Sequence, residues 1–229
     1  QAESLYREAQ SIWLETGNRN YLVSLYLQWC YVATAQGQLE RAQSLGEECL
    51  GLFRTLGTKR GISRALIALG AVARLEGRYA DATTRLQEAL AIGHELEDKH
   101  AIPMALKELG LVALNQADYA VSEAQLKESL RLFTEAREQR SIADCFEGLA
   151  KLAATAGRPL SAARLWGSAE AVRQTIGGPL EPVERAAHDQ VIFSARAACG
   201  DTAFAAAWAE GQAMPLEKAA ELALNTEIV

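Results

Sequence analysis

Apolar, small and polar residues recur along this chain with a period of 40 positions. The repeat is clearest at four small residues spaced by that distance: Gly37, Gly77, Ala117 and Gly157. Four segments align around them without a gap: residues 17–56, 57–96, 97–136 and 137–176. Self-similarity at a fixed period of this length indicates a repeat architecture, in which each unit buries its apolar face against its neighbours.

Each segment has the pattern of two amphipathic helices around a tight turn. In the first helix of the third segment, Leu106 and Leu109 are followed by the small residues Gly110 and Ala113. Offsets of three, four and seven positions place these side chains on one face of a helix. Because small residues on that face let a second helix approach closely, the sequence predicts antiparallel helix pairs.

The third segment resembles the tetratricopeptide repeat at these positions: Leu109-Gly110, Tyr119, Ser122, Leu126 and Ser129-Leu130. The resemblance implies an all-α fold, a tetratricopeptide-like right-handed superhelical solenoid of antiparallel helix pairs with a C-terminal helical cap. The period exceeds the ~34 residues of the usual repeat, so we expect longer helices. HEAT repeats share the longer period and are the structural alternative, although they lack this spacing of residues.

The predicted organisation is a repeat region over residues 1–177 and a helical capping segment over residues 178–229. Residues 1–16 match the second helix of a repeat whose first helix is missing, so we expect a fragment of a longer protein. The last repeat departs from the pattern, because Trp166 and Glu170 replace residues that are mostly Leu in the other repeats. Phe204 and Trp208 of the cap are expected to pack onto this last repeat.

Composition narrows the classes of function. The formal net charge is −6, and no segment carries the concentrated positive charge that direct nucleic-acid binding requires. No apolar run reaches the ~18 residues of a membrane span. The cysteines lack metal-binding spacing and are expected to be reduced thiols, which favours a cytoplasmic protein. Cys30 and Cys49 face each other within one repeat, so an oxidisable pair is the alternative to two buried thiols.

No pattern typical of catalysis occurs in the sequence. It has no phosphate-binding or dinucleotide-binding glycine loop, no G-x-S-x-G and no H-E-x-x-H. His94, His100 and His188 fall on separate parts of a solenoid, so they are not expected to converge on a metal ion. The carboxylates lie on solvated faces and the tryptophans on core faces. We therefore expect a chain that is not an enzyme and needs no cofactor or metal.

The surface expected to bind a partner is the concave side, which the first helices line in tetratricopeptide arrays. The candidate residues on those helices are the ones that avoid the core of their own repeat: Leu27, Tyr31, Arg64, Ile67, Arg74, Met104, Lys107, Leu111, Leu114, Glu147 and Lys151. An apolar strip with charged flanks suits an amphipathic helix or an extended peptide. The alternative is that these residues contact the first helix of the neighbouring repeat.

Two substitutions follow from this interpretation. Leu111→Asp combined with Lys107→Glu is expected to abolish partner binding without loss of helicity. Glu123→Ala, at a position expected to be exposed, should change stability by no more than about 0.5 kcal/mol.

The C-terminal part of the chain carries a more specific resemblance. The segments that carry it are Ala163–Ala171, Gly178–Arg185, Ala203–Gly211 and Met214–Leu224. They resemble the C-terminal region of large bacterial ATP-dependent (STAND-type) signalling regulators, which include LuxR-type and SARP-type transcription regulators and ATPase-linked adenylate cyclases. The resemblance implies that this chain is the sensor or scaffold arm of such a protein, with the nucleotide site and the effector domain outside it.

The leading hypothesis is therefore a binding module. Its partner would be a protein, a peptide or a domain of the parent protein, or else a small effector. Two other functions remain open: a scaffold that drives self-association, and the accessory repeat region of an adenylate cyclase. Neither the oligomeric state nor the identity of the partner follows from the sequence.

Overall fold

The computed structural model describes residues 19–180 and 182–229, and all the regular structure in these residues is helical. The all-α prediction is confirmed. The predicted helix over residues 1–16 lies outside the described residues. The helices in the described part are α1 (Arg19–Ala35), α2 (Leu39–Thr55), α3 (Lys59–Leu75), α4 (Tyr79–Glu95), α5 (Ala101–Asn115), α6 (Tyr119–Ala136), α7 (Gln139–Thr155), α8 (Pro159–Ile176), α9 (Pro182–Cys199), α10 (Asp201–Ala213) and α11 (Leu216–Asn225). The chain forms two compact units, the first extending to Asp98 and the second covering Lys99–Val229.

The turns within and between repeats use the same helix ending. The backbone φ is positive at positions spaced by 20 residues: Gly37, Gly57, Gly77, Glu97, Ala117, Arg137, Gly157 and Gly177. At the first of them, the Gly37 amide donates to the Thr34 carbonyl and the Gln38 amide donates to the Ala33 carbonyl. This pair of bonds is the Schellman motif, which satisfies carbonyls at a helix C-terminus. Because the ending recurs so regularly, each repeat is divided into two helices of similar length.

In the first unit, α1 to α4 pack in chain order and α1 also contacts α3. Leu66 and Leu69 of α3 are buried in this packing. Gly70 of α3 lies at the point where Leu86 of α4 approaches. A Cβ added to Gly70 would lie 2.6 Å from the Leu86 Cγ. A small residue of the first helix thus allows the close approach of the second, as the sequence pattern indicates.

In the second unit, one hydrophobic core extends from α5 to the C-terminal residues. Helix α10 packs against α8, and α11 contacts both α6 and α8. The predicted packing of Phe204 and Trp208 on the last repeat is confirmed, because their rings lie 6.3 and 6.4 Å from that of Trp166. Leu106, expected on the core face of α5, is only half-buried.

The C-terminal residues of the second unit lie against α6. The Glu123 carboxylate accepts hydrogen bonds from the backbone amides of Ile228 and Val229 at 2.9 and 3.0 Å. It also pairs with the Lys127 ammonium at 2.6 Å. Glu123 is only 8% exposed, so the expectation that it lies at an exposed position is wrong. Its position on the helix gave no sign of this, because the covering segment lies more than 100 residues further along the chain.

Glu123→Ala is now expected to lower the free energy of unfolding by about 1–3 kcal/mol, because two amides lose their acceptor. Burial by itself raises the pKa of Glu123, but the hydrogen bonds from Lys127, Ile228 and Val229 outweigh burial and hold the pKa below its usual value. The carboxylate therefore stabilises the fold above its unfolded-state pKa, and this stabilisation is lost as the pH falls through the folded-state pKa.

Urea unfolding of both proteins at about pH 7 and about pH 3 measures this contribution, since the ordinary Glu pKa is about 4.3. The difference between wild type and Glu123→Ala should be smaller at the lower pH. Glu128→Ala is the control, because Glu128 pairs with Arg131 on an exposed face and such pairs contribute at most about 1 kcal/mol. Equal losses for the two variants would contradict the assigned role of Glu123.

Candidate partner-binding site

The first unit buries two of the residues predicted to bind a partner. Leu27 and Ile67 are 1% and 3% exposed, which makes them core residues. Arg64 is exposed, whereas Tyr31 and Arg74 are half-buried and each makes an interaction within the protein. The burial arises because α1 contacts α3 as well as α2. A first helix therefore has two covered faces, which agrees with the alternative that some of these residues contact the first helix of the neighbouring repeat.

In the second unit, too, several of the residues predicted to bind a partner are buried. Leu111 belongs to the hydrophobic core, and Met104 and Leu114 are half-buried against it. Helix α5 contacts α7, so here too the first helices stack on each other. Lys107 and Glu147 are each 7% exposed, and Lys151 is half-buried.

Leu27, Ile67, Lys107, Leu111 and Glu147 therefore cannot contribute to an exposed binding surface in this structure. The double variant Leu111→Asp with Lys107→Glu would place a carboxylate in a buried apolar position and reverse a buried charge. It is accordingly expected to disrupt the fold of the second unit, and a loss of binding in that variant would not report on a partner surface.

Lys107 begins a set of buried ion pairs. Its Nζ lies 3.3 Å from a carboxylate oxygen of Glu108 and 3.4 Å from one of Asp144. Burial by itself lowers the pKa of Lys107, but the negative charges of Asp144 and Glu108 outweigh burial and raise the pKa above its usual value. Lys107 is therefore charged at neutral pH inside the unit, and its acidic neighbours stabilise that charge.

Arg173 of α8 belongs to the same set of buried ion pairs. Its Nη2 donates to Asp144 at 2.8 Å, its Nε donates to Glu147 at 3.4 Å, and its Nη1 donates to the Gly178 carbonyl at 3.4 Å. The Nδ1 of His188 lies 3.0 Å from the other carboxylate oxygen of Glu147. All three guanidinium nitrogens are thus engaged, and Arg173 links α7, α8 and the segment that follows α8.

A cavity of about 420 Å³ lies beside these charges in the second unit. The side chains that define its chemistry are Glu147, Trp166, Glu170, Arg173, His188 and Trp208. The Glu170 Oε2 accepts hydrogen bonds from the Trp208 indole N–H at 2.6 Å and from the Gln212 amide at 2.8 Å. Trp166 is 1% exposed, and its indole N–H has no hydrogen-bond partner among the residues that the structure describes.

The repeat pattern does not predict this cavity, although the sequence carries one signal of it. Trp166 and Glu170 lie one helical turn apart, and both replace residues of the repeat pattern, such as Leu86 and Leu90 of the second segment. Two such changes on one face indicate that α8 meets something different from its counterparts. The sequence places Trp208 on the last repeat, but its hydrogen bond to Glu170, 38 residues away, is seen only once α10 has packed against α8.

Cys30 and Cys49 have the surroundings of unreactive thiols. The thiols of Cys30 and Cys49 donate weakly to backbone carbonyls within the first unit. Burial raises the pKa of Cys30 to about 11 and that of Cys49 to about 12. A thiol with a raised pKa forms little thiolate and reacts slowly, which favours two structural thiols over an oxidisable pair. Within residues 19–180 and 182–229 no cluster of His, Cys, Asp or Glu is arranged to hold a metal ion.

Comparison with known proteins identifies the repeats. The tetratricopeptide repeat family matches residues 21–93. This match supports a tetratricopeptide-repeat region in the first unit. Repeats of this kind generally bind protein partners and typically serve as non-catalytic scaffolds. A comparison with curated proteins found no match.

A solved structure supports the same fold over more of the chain. The crystal structure of BtubC (BKLC) from P. vanneervenii is similar with a TM-score of 0.59, at 19% sequence identity, over 78% of this chain and 74% of that chain. At this identity the similarity shows the fold alone, and it confirms the tetratricopeptide-like helical solenoid. None of the helices in the described part of the chain is both long and apolar enough to cross a membrane.

Proposed function

We propose that this chain is a non-catalytic, cytoplasmic sensor or scaffold module of a larger bacterial signalling ATPase or transcription regulator. The observation that carries the proposal is the tetratricopeptide-repeat region, whose first helices keep part of one face accessible. The resemblance of its C-terminal segments to STAND-type regulators supports the bacterial signalling context. In such a protein, binding to the repeats would alter the populations of the active and inactive states of the ATPase.

Within each unit, the partner would contact the accessible remainder of the first-helix face. Those of the predicted residues that are exposed or half-buried are Tyr31, Arg64 and Arg74 in the first unit, and Met104, Leu114 and Lys151 in the second. The exposed Arg64 gives the first-helix face of the first unit a positive charge. An acidic segment, supplied by another domain of the parent protein, is therefore the partner that this surface favours.

Arg64→Glu tests the proposal in the whole protein that the gene encodes. Reversal of an exposed contact charge is expected to change ATP hydrolysis by roughly three- to tenfold, since this corresponds to about 1 kcal/mol of contact energy. The fold should be unaffected because Arg64 is exposed. The measurements are the steady-state ATPase rate and the thermal midpoint of each variant.

Lys218→Glu is the matched control, because Lys218 is exposed on α11 and lies outside the first helices. An encoded protein without a nucleotide-binding domain would refute the signalling-ATPase context. If Arg64→Glu and Lys218→Glu changed the ATPase rate equally, the first-helix face would not be the partner surface. Concentration-dependent oligomers in light scattering, together with an unchanged ATPase rate, would instead favour the self-association scaffold.

A further inference from the structure

We infer that the cavity beside Trp208 binds a small organic cation, an alkyl-ammonium group whose counter-charge is the Glu170 carboxylate. The site differs from the proposed partner surface, because only Glu147 of the predicted partner-binding residues lines it. It therefore adds a small-ligand site to a module proposed to bind a protein.

The charges around the cavity favour a cation. Its lining includes the carboxylates of Glu147 and Glu170 and the guanidinium of Arg173. Arg173 already pairs with Glu147 and Asp144. Glu170 differs from Glu147, because no basic side chain in the described part of the chain lies within ion-pair distance of it, and both of its hydrogen-bond donors are neutral. A half-buried carboxylate that has only neutral hydrogen-bond donors and no basic partner attracts a cationic ligand.

The position of Glu170 is fixed in a way that suits ligand binding. Both donors bind the same oxygen, Oε2, so Oε1 is left for a ligand. Since the indole N–H lies in the ring plane, the carboxylate lies at the edge of the half-buried Trp208 ring. A cation next to Oε1 can then lie over the face of that ring, where the quadrupole attracts positive charge. The ring is held by Phe204 at 5.7 Å and Trp166 at 6.4 Å.

A second observation indicates that the ligand also carries an acceptor. The indole N–H of Trp166 is buried in the lining without a hydrogen-bond partner. Buried donors are seldom left unsatisfied, because each costs about 1–3 kcal/mol. Because this indole N–H has almost no accessible surface, an acceptor reaches it only when the surrounding side chains shift. A ligand with an oxygen close to its cationic nitrogen would then satisfy Glu170 and Trp166 together. A β-hydroxyammonium compound such as choline has this chemistry, and the cavity of about 420 Å³ can hold it.

The same ammonium chemistry could come from a free amine or from a lysine side chain of a partner. We therefore test three probes: choline, the lysine derivative blocked at its α-amine and carboxyl groups, and neohexyl alcohol. Neohexyl alcohol is the neutral analogue of choline in which carbon replaces the quaternary nitrogen. Each is titrated into the isotope-labelled chain, and the indole N–H signals of the tryptophans are followed by nuclear magnetic resonance.

Choline is expected to shift the signals of Trp166 and Trp208 saturably and to leave that of Trp29, in the first unit, unchanged. The neutral alcohol should bind at least about tenfold more weakly, which is the difference that a partly desolvated cation–π contact and an ion pair together supply. Stronger binding of the blocked lysine than of choline would assign the cavity to a partner's lysine, and the reverse would assign it to a free amine.

Glu170→Gln tests the role of the negative charge most directly. The amide oxygen can still accept hydrogen bonds from Trp208 and Gln212, while the charge is removed. The variant should weaken binding of the cation about tenfold and leave the thermal midpoint unchanged. Glu217→Gln, at an exposed position on α11, should do neither. The inference is overturned if neither cation gives a saturable shift, if the neutral alcohol binds equally well, or if Glu170→Gln binds like the wild type. Arg64→Glu should not change the choline titration, which separates this site from the proposed partner surface.

Discussion

Gly211→Ala is expected to lower the free energy of unfolding of the second unit by about 3 kcal/mol or more, at the upper end of the range for overpacking. Helices α8 and α10 cross at two glycines. A Cβ on Gly211 would lie 2.0 Å from the Arg164 carbonyl oxygen, and one on Gly167 would lie 2.1 Å from the Trp208 carbonyl oxygen. Both contacts are with backbone atoms, so no side-chain rotation can relieve them. The helices must move apart, and the hydrogen bond from the Ser168 hydroxyl to the Gly211 carbonyl at 3.1 Å would be weakened as well.

Gly51→Ala supplies the matched control for this prediction. Gly51 lies on an exposed face of α2, and no atom lies within 4 Å of the Cβ that would be added. Replacing a helical glycine by alanine there should stabilise the protein by about 0.5–1 kcal/mol, because the unfolded backbone loses freedom. Urea unfolding followed by circular dichroism measures both variants. A Gly211→Ala protein as stable as the wild type would show that α8 and α10 are not in such close contact.

The helices and turns could be predicted because each depends on signals close together in the sequence. Gly37 and Gly77 mark turns by their residue type, and the repeat identified Ala117 as an equivalent position although alanine rarely has a positive φ. Two of the turns between repeats were harder to recognise, since Glu97 and Arg137 occupy them, whereas Gly57 and Gly177 occupy the other two. At Glu97 and Arg137 the regular spacing indicated the turn and the residue type did not.

The candidate site could be predicted only in part, because helical periodicity shows which residues share a face and not which faces a neighbour covers. Ile67 and Leu111 appear unused by their own repeat, yet stacking of the first helices accounts for their burial. Lys107 and Glu147 appear solvent-exposed because they are charged. Their burial depends on distant ion-pair partners such as Arg173, which only the folded chain brings near.

Lys107→Met is expected to lower the free energy of unfolding by about 3–5 kcal/mol, the usual consequence of removing one partner from a buried ion pair. Methionine fills a similar volume, so the loss comes from charge rather than from a void. Glu108, which is 5% exposed, would keep its buried carboxylate without this ammonium 3.3 Å away. Asp144 is affected less, because Arg173 still donates to it at 2.8 Å.

The double variant Lys107→Met with Glu108→Gln distinguishes a charge effect from a packing effect. It removes both charges, and so we expect it to recover at least about 1 kcal/mol of the loss, since buried pairs are often replaced at little cost. The pH dependence gives an independent check. Because the folded-state pKa of Lys107 is raised, its contribution is present below the unfolded-state pKa of about 10.4 and is lost as the pH rises through the folded-state pKa. Urea unfolding should therefore show a difference between wild type and Lys107→Met that is constant near neutral pH and narrows only above about pH 10. A double variant as unstable as the single one would assign the effect to packing of the lysine side chain.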